Sequence, residues 1–582
     1  MRPTTLAVVT LAFALAACGG ASPPPADVAS TPTATAPPAA TSSAPPPAAA
    51  PVADPTWIRA AAISSIVRFL SDDLLEGRFT ASRGHEIATR FIAEQLQTVG
   101  VEPMGDRGTY FQAVPLRAAV RDLDHDTLVV KQKGKKDLSL KRDDDFLLTS
   151  DMRTAKVDVE APMVFVGYGV TAPEYGYDDL AGVDLTGKIA VVFSGAPLSD
   201  RDDFFPSIAH AVYGSARKKL ERMAAKGAVG MISVFRKEDE ERLPWARVVK
   251  TARIDQMSWT EGGEPGTSPK GVSLRGTMHW KAFDAILAQA GVGGTTDAIE
   301  QAATANAGKM KAFPIPASAH GVLTSTLKDV VSHNVVGVIR GADPTLSKEY
   351  VVYSAHSDHL GISTPIDGDT IYNGALDNAS GTASMLEIAR AYSLMAARPS
   401  RSILFLSCTG EERGLLGSEY FARFPTVPKG SIVADFNIDM VMAFGPVHDV
   451  VPIGAERSSL GPVVAAAAKS LGLDISPDPE PKQSLFVRSD QFSFVREGIP
   501  SVFVNVGLKD EKGNTDARRS KFKQWIATKY HAPKDEWDPN YDYEGMAQVA
   551  RVEWLAGITV ANTPARPVWN AGDFLGKMFA GK

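Results

Sequence analysis

The sequence predicts an α/β protein: a mixed, mostly parallel sheet sandwiched by helices, with a smaller β-rich α/β part inserted ahead of it. Three observations carry this expectation. The chain has 582 residues, too many for one ordinary core, so two folded parts plus extensions are expected. From Asn334 onward, short apolar runs alternate with helical stretches in the order strand, loop, helix. Between about Val157 and Pro314 the texture changes to strand-like runs and turns, with no cluster of metal-type ligands.

Taken in order, residues 1–18 read as an address. An apolar stretch from Leu6 to Ala17 follows Arg2 and is too short for a bilayer span, which needs about 20 residues. It runs into Leu15-Ala16-Ala17-Cys18-Gly19, which resembles a bacterial lipobox, so an exported, membrane-anchored lipoprotein lipidated on Cys18 is expected, facing periplasm or cell surface. Residues 19–54 are Pro, Ala, Ser and Thr with little to bury, the composition of an extended tether. Residues 55–156 are expected to be the helical start of the main domain, with apolar spacing that predicts helices over Trp57–Leu70 and His85–Val99. Residues 157–314 form the insertion, with strands at Met163–Val166, Lys188–Phe193 and Gly230–Val234. Residues 315–582 carry the main sheet. Its strands are predicted at Val335–Ile339, Tyr350–Ser354, Ser402–Ser407, Ile432–Ile438 and Ile499–Val506, with helices over Gly381–Leu394 and Leu460–Leu471.

Composition narrows the partners. With 61 basic and 67 acidic residues, a net charge of -6 and no dense Lys/Arg tract, nucleic acid is not an expected partner. The only cysteine besides Cys18 is Cys408, which ends an apolar run and reads as a small buried residue rather than a nucleophile.

The chemistry-bearing residues gather where apolar strands end. His356 and Asp358 follow the Tyr350 strand, Asp377 opens the next helix, Glu411 and Glu412 follow the Ser402 strand, Asp439 closes the Ile432 strand, and His531 lies in Tyr530-His531-Ala532-Pro533-Lys534-Asp535. Taken singly, each is an ordinary loop, cap or solvated acid. Recurring together at the carboxyl ends of successive strands, they are a cluster whose burial a divalent cation would compensate.

These segments resemble, in order and with every ligand type intact, those of the bacterial zinc aminopeptidases of the leucine and Ser/Tyr aminopeptidase type, relatives of glutamate carboxypeptidase. The likeness covers about Trp57 to Trp554. It includes an inserted protease-associated domain, through Gly167-Tyr168-Gly169, Asp184-Leu185-Thr186-Gly187-Lys188-Ile189 and Lys226-Gly227-Ala228-Val229-Gly230. The resemblance implies a zinc-peptidase fold and two zinc ions per chain. Asp377 would be shared between them, His356 and Asp439 would complete one ion, and Glu412 and His531 the other. Asp358 would orient His356, and Glu411 would be the general base that takes the proton from the attacking water. The implied substrate is a peptide trimmed from its N-terminus. A carboxypeptidase or dipeptidase on the same scaffold, or a zinc-free binding relative, are the alternatives. Two positions depart from the family pattern: Gln491 stands where many relatives have His, and Leu376 replaces an acidic residue before Asp377. His359 reads as a loop histidine rather than a ligand.

Overall fold

The computed structural model describes residues 53–199, 203–305, 308–442 and 444–581. The leader with Cys18, and the tether up to residue 52, lie outside the described residues. The α/β expectation holds: a large, mostly parallel sheet is covered by helices on both faces.

At the centre of the main sheet, Ser402–Cys408, Tyr350–His356, Ile432–Asn437 and Ser501–Val506 run parallel, side by side in that order. The antiparallel strand Asp449–Ile453 flanks Ser501–Val506, and the long strand Phe313–Ile339 flanks Ser402–Cys408. Every residue of Tyr350–His356 and Ser402–Cys408 is buried, as continuous apolar runs in a doubly covered parallel sheet must be. The two faces separate with period two. Val351, Tyr353, Ile403 and Phe405 pack under the helices Ala60–Leu70, Ser380–Ser393 and Tyr543–Asn562, whereas Tyr350, Val352, Leu404 and Leu406 pack toward Phe421 and Phe494 on the other side.

The second lobe repeats the scheme on a smaller scale. Lys156–Phe165, Ile189–Phe193, Gly230–Phe235 and Leu274–His279 are parallel neighbours, backed on one face by the helix Trp280–Ala290 and on the other by Ala216–Ala225. Its sheet starts ahead of the Val157 boundary expected from the sequence, because Thr127–Lys131 and Phe146–Thr149 belong to it. The stretch expected to be helical also contains Phe111–Arg121, which pairs with Ser325–Val335. The strand Phe313–Ile339 runs through both sheets, so the lobes share a backbone element rather than a linker. Glu419 fastens them further: its buried carboxylate meets Arg217 of the second lobe at 2.6 Å and Arg496 of the main lobe at 3.1 Å. Among the described residues no helix is long and apolar enough to cross a membrane.

Candidate metal centre

Strand ends and two loops bring the site together. His356 is the last residue of its strand, Glu411 and Glu412 follow Ser402–Cys408 across the turn at Gly410, and Asp439 lies just past Ile432–Asn437. Asp377 enters from the turn before Ser380–Ser393, and His531 from the loop after the helix Asp516–Thr528. His531 has φ +55°, a left-handed conformation that costs a non-glycine residue free energy and is held where the surroundings over-determine it. Gly374, at φ +64°, has no such alternative: a Cβ there would lie 2.6 Å from the His359 ring.

The oxygens of the three carboxylates are divided in a regular way. Asp377 places Oδ1 3.4 Å from His356 Nε2 and Oδ2 3.2 Å from His531 Nε2, so it stands between the two imidazoles. Asp439 Oδ1 lies 3.3 Å from His356 Nε2, and Glu412 Oε2 lies 3.3 Å from His531 Nε2. Two donors bound to one tetrahedral zinc at about 2.0–2.1 Å stand about 3.3 Å apart, so these spacings fit a shared cation. His356, Asp377 and Asp439 each bring a donor atom within 4.8 Å of the others, and Asp439 Oδ1 is buried without a hydrogen-bond partner. This is an oxygen and imidazole donor set of the kind zinc takes.

A second trio, His359, Asp377 and Glu412, meets the same proximity criterion. The distance decides between His359 and His531: His359 Nδ1 is 2.7 Å from Glu412 Oε1, too close for two donors on one tetrahedral ion. Glu412 therefore turns Oε2 toward His531 and Oε1 toward His359. His359 thus stays outside the candidate ligand sets, as the sequence reading has it, with its ring fully buried against Glu412.

The charges show what a bound cation would compensate. Burial alone would lower the pKa of His356, but Glu411, Asp439 and Asp377 outweigh it and hold the ring well above the ordinary imidazole value. Burial also pushes Glu411 well above the usual carboxylate range, with Glu412 adding to the rise and His356 opposing it. Among the described residues no Lys or Arg forms an ion pair with Asp377, Glu411, Glu412 or Asp439. Glu411 Oε2 is 4.0 Å from His356 Nε2, farther than the three carboxylates above, and it faces the cluster from one side.

Comparison with known proteins now bears on the site. Residues 334–556 match the model of peptidase family M28. This M28 segment contains every candidate ligand. Aminopeptidase NAALADL1 of Mus musculus is 34% identical over 134 residues, covering 22% of this chain and 16% of its own length. A probable leucine aminopeptidase 2 of Aspergillus oryzae is 26% identical over 240 residues, covering 40% of this chain and 45% of its own. The chain thus spans 16% of the mouse relative and less than half of the fungal one. The aminopeptidase from Aneurinibacillus sp. strain AM-1 superposes with a TM-score of 0.49 at 21% identity, covering 88% of this chain and 96% of that one.

Around the candidate ligands lies a layer that the sequence reading left largely unnamed. Ser489 donates to Asp439 Oδ2 at 2.7 Å and accepts from Asn437 at 3.0 Å. Gln491, the departure from the family pattern, is buried and spoken for: it accepts from Asn437 at 2.7 Å and donates to the Phe486 carbonyl at 2.8 Å, so it braces Asn437 instead of facing the cleft. Asp535 accepts from the backbone N–H groups of Leu376 and Asp377 at 2.9 and 3.0 Å, tying the His531 loop to the Asp377 loop. Leu376 is buried in the main core, which accounts for an apolar residue there. Asp358 accepts from Thr80 and from the Glu411 backbone N–H, and its Oδ1 is 4.0 Å from His356 Nδ1, while Nδ1 lies 3.2 Å from the Asp358 carbonyl. Arg78, outside the M28 segment, donates to the carbonyls of Leu70, Ser357, Asn373 and Gly374 and so clamps the His356 and Asp377 loops together. Apart from Gln491–Phe486, Arg78–Leu70 and the His356–Asp358 pair, these contacts join segments 50 or more residues apart, and no local spacing announces them.

Proposed function

We propose that this chain is a zinc-dependent exopeptidase that removes N-terminal residues from peptides. Two ions would be held, one by His356, Asp377 and Asp439 and one by Asp377, Glu412 and His531. The observation that carries the reading is Asp377 standing between the two imidazoles, with Asp439 and Glu412 completing symmetric sets at 3.2–3.4 Å. Bound zinc supplies Lewis acidity and lowers the pKa of water. The protein's part is proton transfer and orientation: Glu411 accepts the proton of the attacking water and returns it to the leaving amine. Asp358 and Ser489 hold His356 and Asp439 in place. The same excess of carboxylates suits the α-ammonium of a peptide. The second lobe, which we read as the family's protease-associated part, walls the approach.

Metal analysis of the purified protein with a panel of aminoacyl-nitroanilides tests this. About two zinc ions per chain are expected, and Glu411→Gln should keep them while losing at least about 100-fold in kcat, the lower end of general-base contributions. Full activity in that variant removes Glu411 from the mechanism. We also propose export and lipidation on Cys18, supported by the lipobox-like segment. Cys18→Ser should move the protein from the membrane fraction to the soluble one, and unchanged membrane partition would sink the anchor.

A further inference from the structure

The helix Trp245–Ala252 of the second lobe is two-sided. Trp245, Val248, Val249 and Ala252 pack with Phe235 and Leu147. Arg247 and Lys250, one turn apart, are exposed and line a cleft of about 870 Å³ whose lining also includes Glu412 and His531. Two neighbouring cations of this lobe are paired: Arg253 meets Asp143 at 2.6 Å, and Arg275 lies 3.5 Å from Asp151. Among the described residues, Arg247 and Lys250 make no ion pair. From the main lobe, Arg413 enters the same cleft, half-buried and 5.2 Å over the Phe79 ring, with a buried Nε that has no hydrogen-bond partner.

The cleft is thus polarised. Glu412 and His531 mark its metal end, Asp255 lies beside Arg413, and Arg247 and Lys250 line the same cleft without an ion-pair partner among the described residues. A peptide whose ammonium end lies at the carboxylates extends its remaining residues toward Arg247 and Lys250. We infer that Arg247 and Lys250 form an anion-accepting subsite on the leaving-group side, so that the protein favours peptides with a carboxylate beyond the scissile bond. That carboxylate is either the C-terminus of a short peptide or an Asp or Glu side chain. The inference rests on the peptidase reading above and names its substrate class.

The test uses the zinc-loaded full chain and two matched substrate pairs. Xaa-Gly-Gly against Xaa-Gly-Gly-amide reads a terminal carboxylate, and Xaa-Glu-Gly-amide against Xaa-Gln-Gly-amide reads a side chain, Xaa being the residue the nitroanilide panel favours. At least one acid member should exceed its neutral partner in kcat/KM by about three- to ten-fold, as expected for one or two exposed charge pairs. Arg247→Glu with Lys250→Glu should invert that preference, an outcome that misfolding cannot produce. Arg247→Lys alone should retain it. Ratios near one in the unaltered chain, or an unchanged ratio in the charge-reversed variant, overturn the subsite and leave these residues as a solvated helix face. If no peptide is hydrolysed, the peptidase reading fails. Calorimetric binding of the same pairs then decides the subsite on its own, where equal affinities reject it and tighter binding of the acids upholds it.

Discussion

Both lobes are built on four parallel strands covered by helices, and both bring charged residues to the carboxyl ends of those strands. In the main lobe the groups that meet are His356, Glu411, Glu412 and Asp439, with Asp377 and His531 arriving from loops, and among the described residues imidazole is the only cationic partner within ion-pair reach. In the second lobe, Gly230–Phe235 ends at Arg236. Its guanidinium lies 3.1 Å from Asp239, 3.1 Å from Glu238 and 2.9 Å from Glu300. Each acid there has a permanently charged guanidinium of the protein within ion-pair reach. The same strand-end position therefore yields a candidate ligand site in one lobe and an arginine-centred ion network in the other, and the cation supplied locally makes the difference.

The largest effects should separate the two clusters completely. Asp377→Ala removes the carboxylate that both imidazoles face. We expect bound zinc to fall below one per chain by metal analysis, and nitroanilide turnover to drop by at least about 1,000-fold, the scale of losing preorganised electrostatic stabilisation. Arg236→Met leaves Asp239 and Glu300 without their cation. It should cost about 3 kcal/mol in denaturant unfolding, as breaking a buried pair does, with metal content unchanged. Zinc loss in Arg236→Met, or zinc retention in Asp377→Ala, would break the comparison.

How much of this was legible beforehand follows the same division. The parallel strands Tyr350–His356 and Ser402–Cys408 are continuous apolar runs, and His356, Glu411, Glu412 and Asp439 stand directly at strand ends, so period and punctuation reveal them. Phe111–Arg121 was hidden because Pro115 and the polar residues on either side break its alternation, and its partner Ser325–Val335 is remote in sequence. The same remoteness hid Ser489, Asp535 and Arg78, whose importance is a matter of which carbonyl or carboxylate they reach. The burial of His359 against Glu412 was not legible because a histidine in a loop looks the same whether it faces water or a carboxylate. The residue-by-residue division into two ion sites came from family likeness, and the spacings around Asp377 supply its physical counterpart.

The lobes should also respond to pH in opposite ranges. His85, buried behind the His356 loop, lies 3.2 Å from Ser357 and 3.3 Å from Ser332, and burial with the Arg78 charge brings its pKa down to about 3. Between about pH 6.5 and 3 the unfolded chain takes up a proton there and the folded chain does not. Stability therefore falls as pH falls through this window, by up to about 5 kcal/mol for the full shift. In the second lobe, Lys219 donates to the Phe193 carbonyl at 2.6 Å, and burial with the Arg236 charge brings its pKa down to about 7. From about pH 7 to 10.5 the unfolded chain retains a proton that the folded chain has released, so stability rises with pH there. Urea unfolding across pH should show the acid loss flattened in His85→Gln and the alkaline gain flattened in Lys219→Met. A profile unchanged by either substitution would mean that the buried group is reached by water.

The smallest expected effect tests the comparison at the level of a single hydroxyl. Ser489 and Ser194 are equivalent chemically: each donates its hydroxyl to a carboxylate at a strand end, Ser489 to Asp439 and Ser194 to Asp239. Their surroundings differ. Asp239 keeps Arg236 if Ser194 is lost, so Ser194→Ala should cost about 1 kcal/mol of stability, the ordinary net worth of a hydrogen bond, and leave zinc binding alone. Asp439 has no such reserve. Its Oδ2 is fixed by Ser489, and that bond aims Oδ1 toward His356, so Ser489→Ala should weaken zinc affinity by about 10- to 100-fold in a chelator titration. Equal behaviour of the two alanine variants would mean that Asp439 is positioned by its backbone alone, and that the layer of Ser489, Asn437 and Gln491 supports the core and not the metal centre.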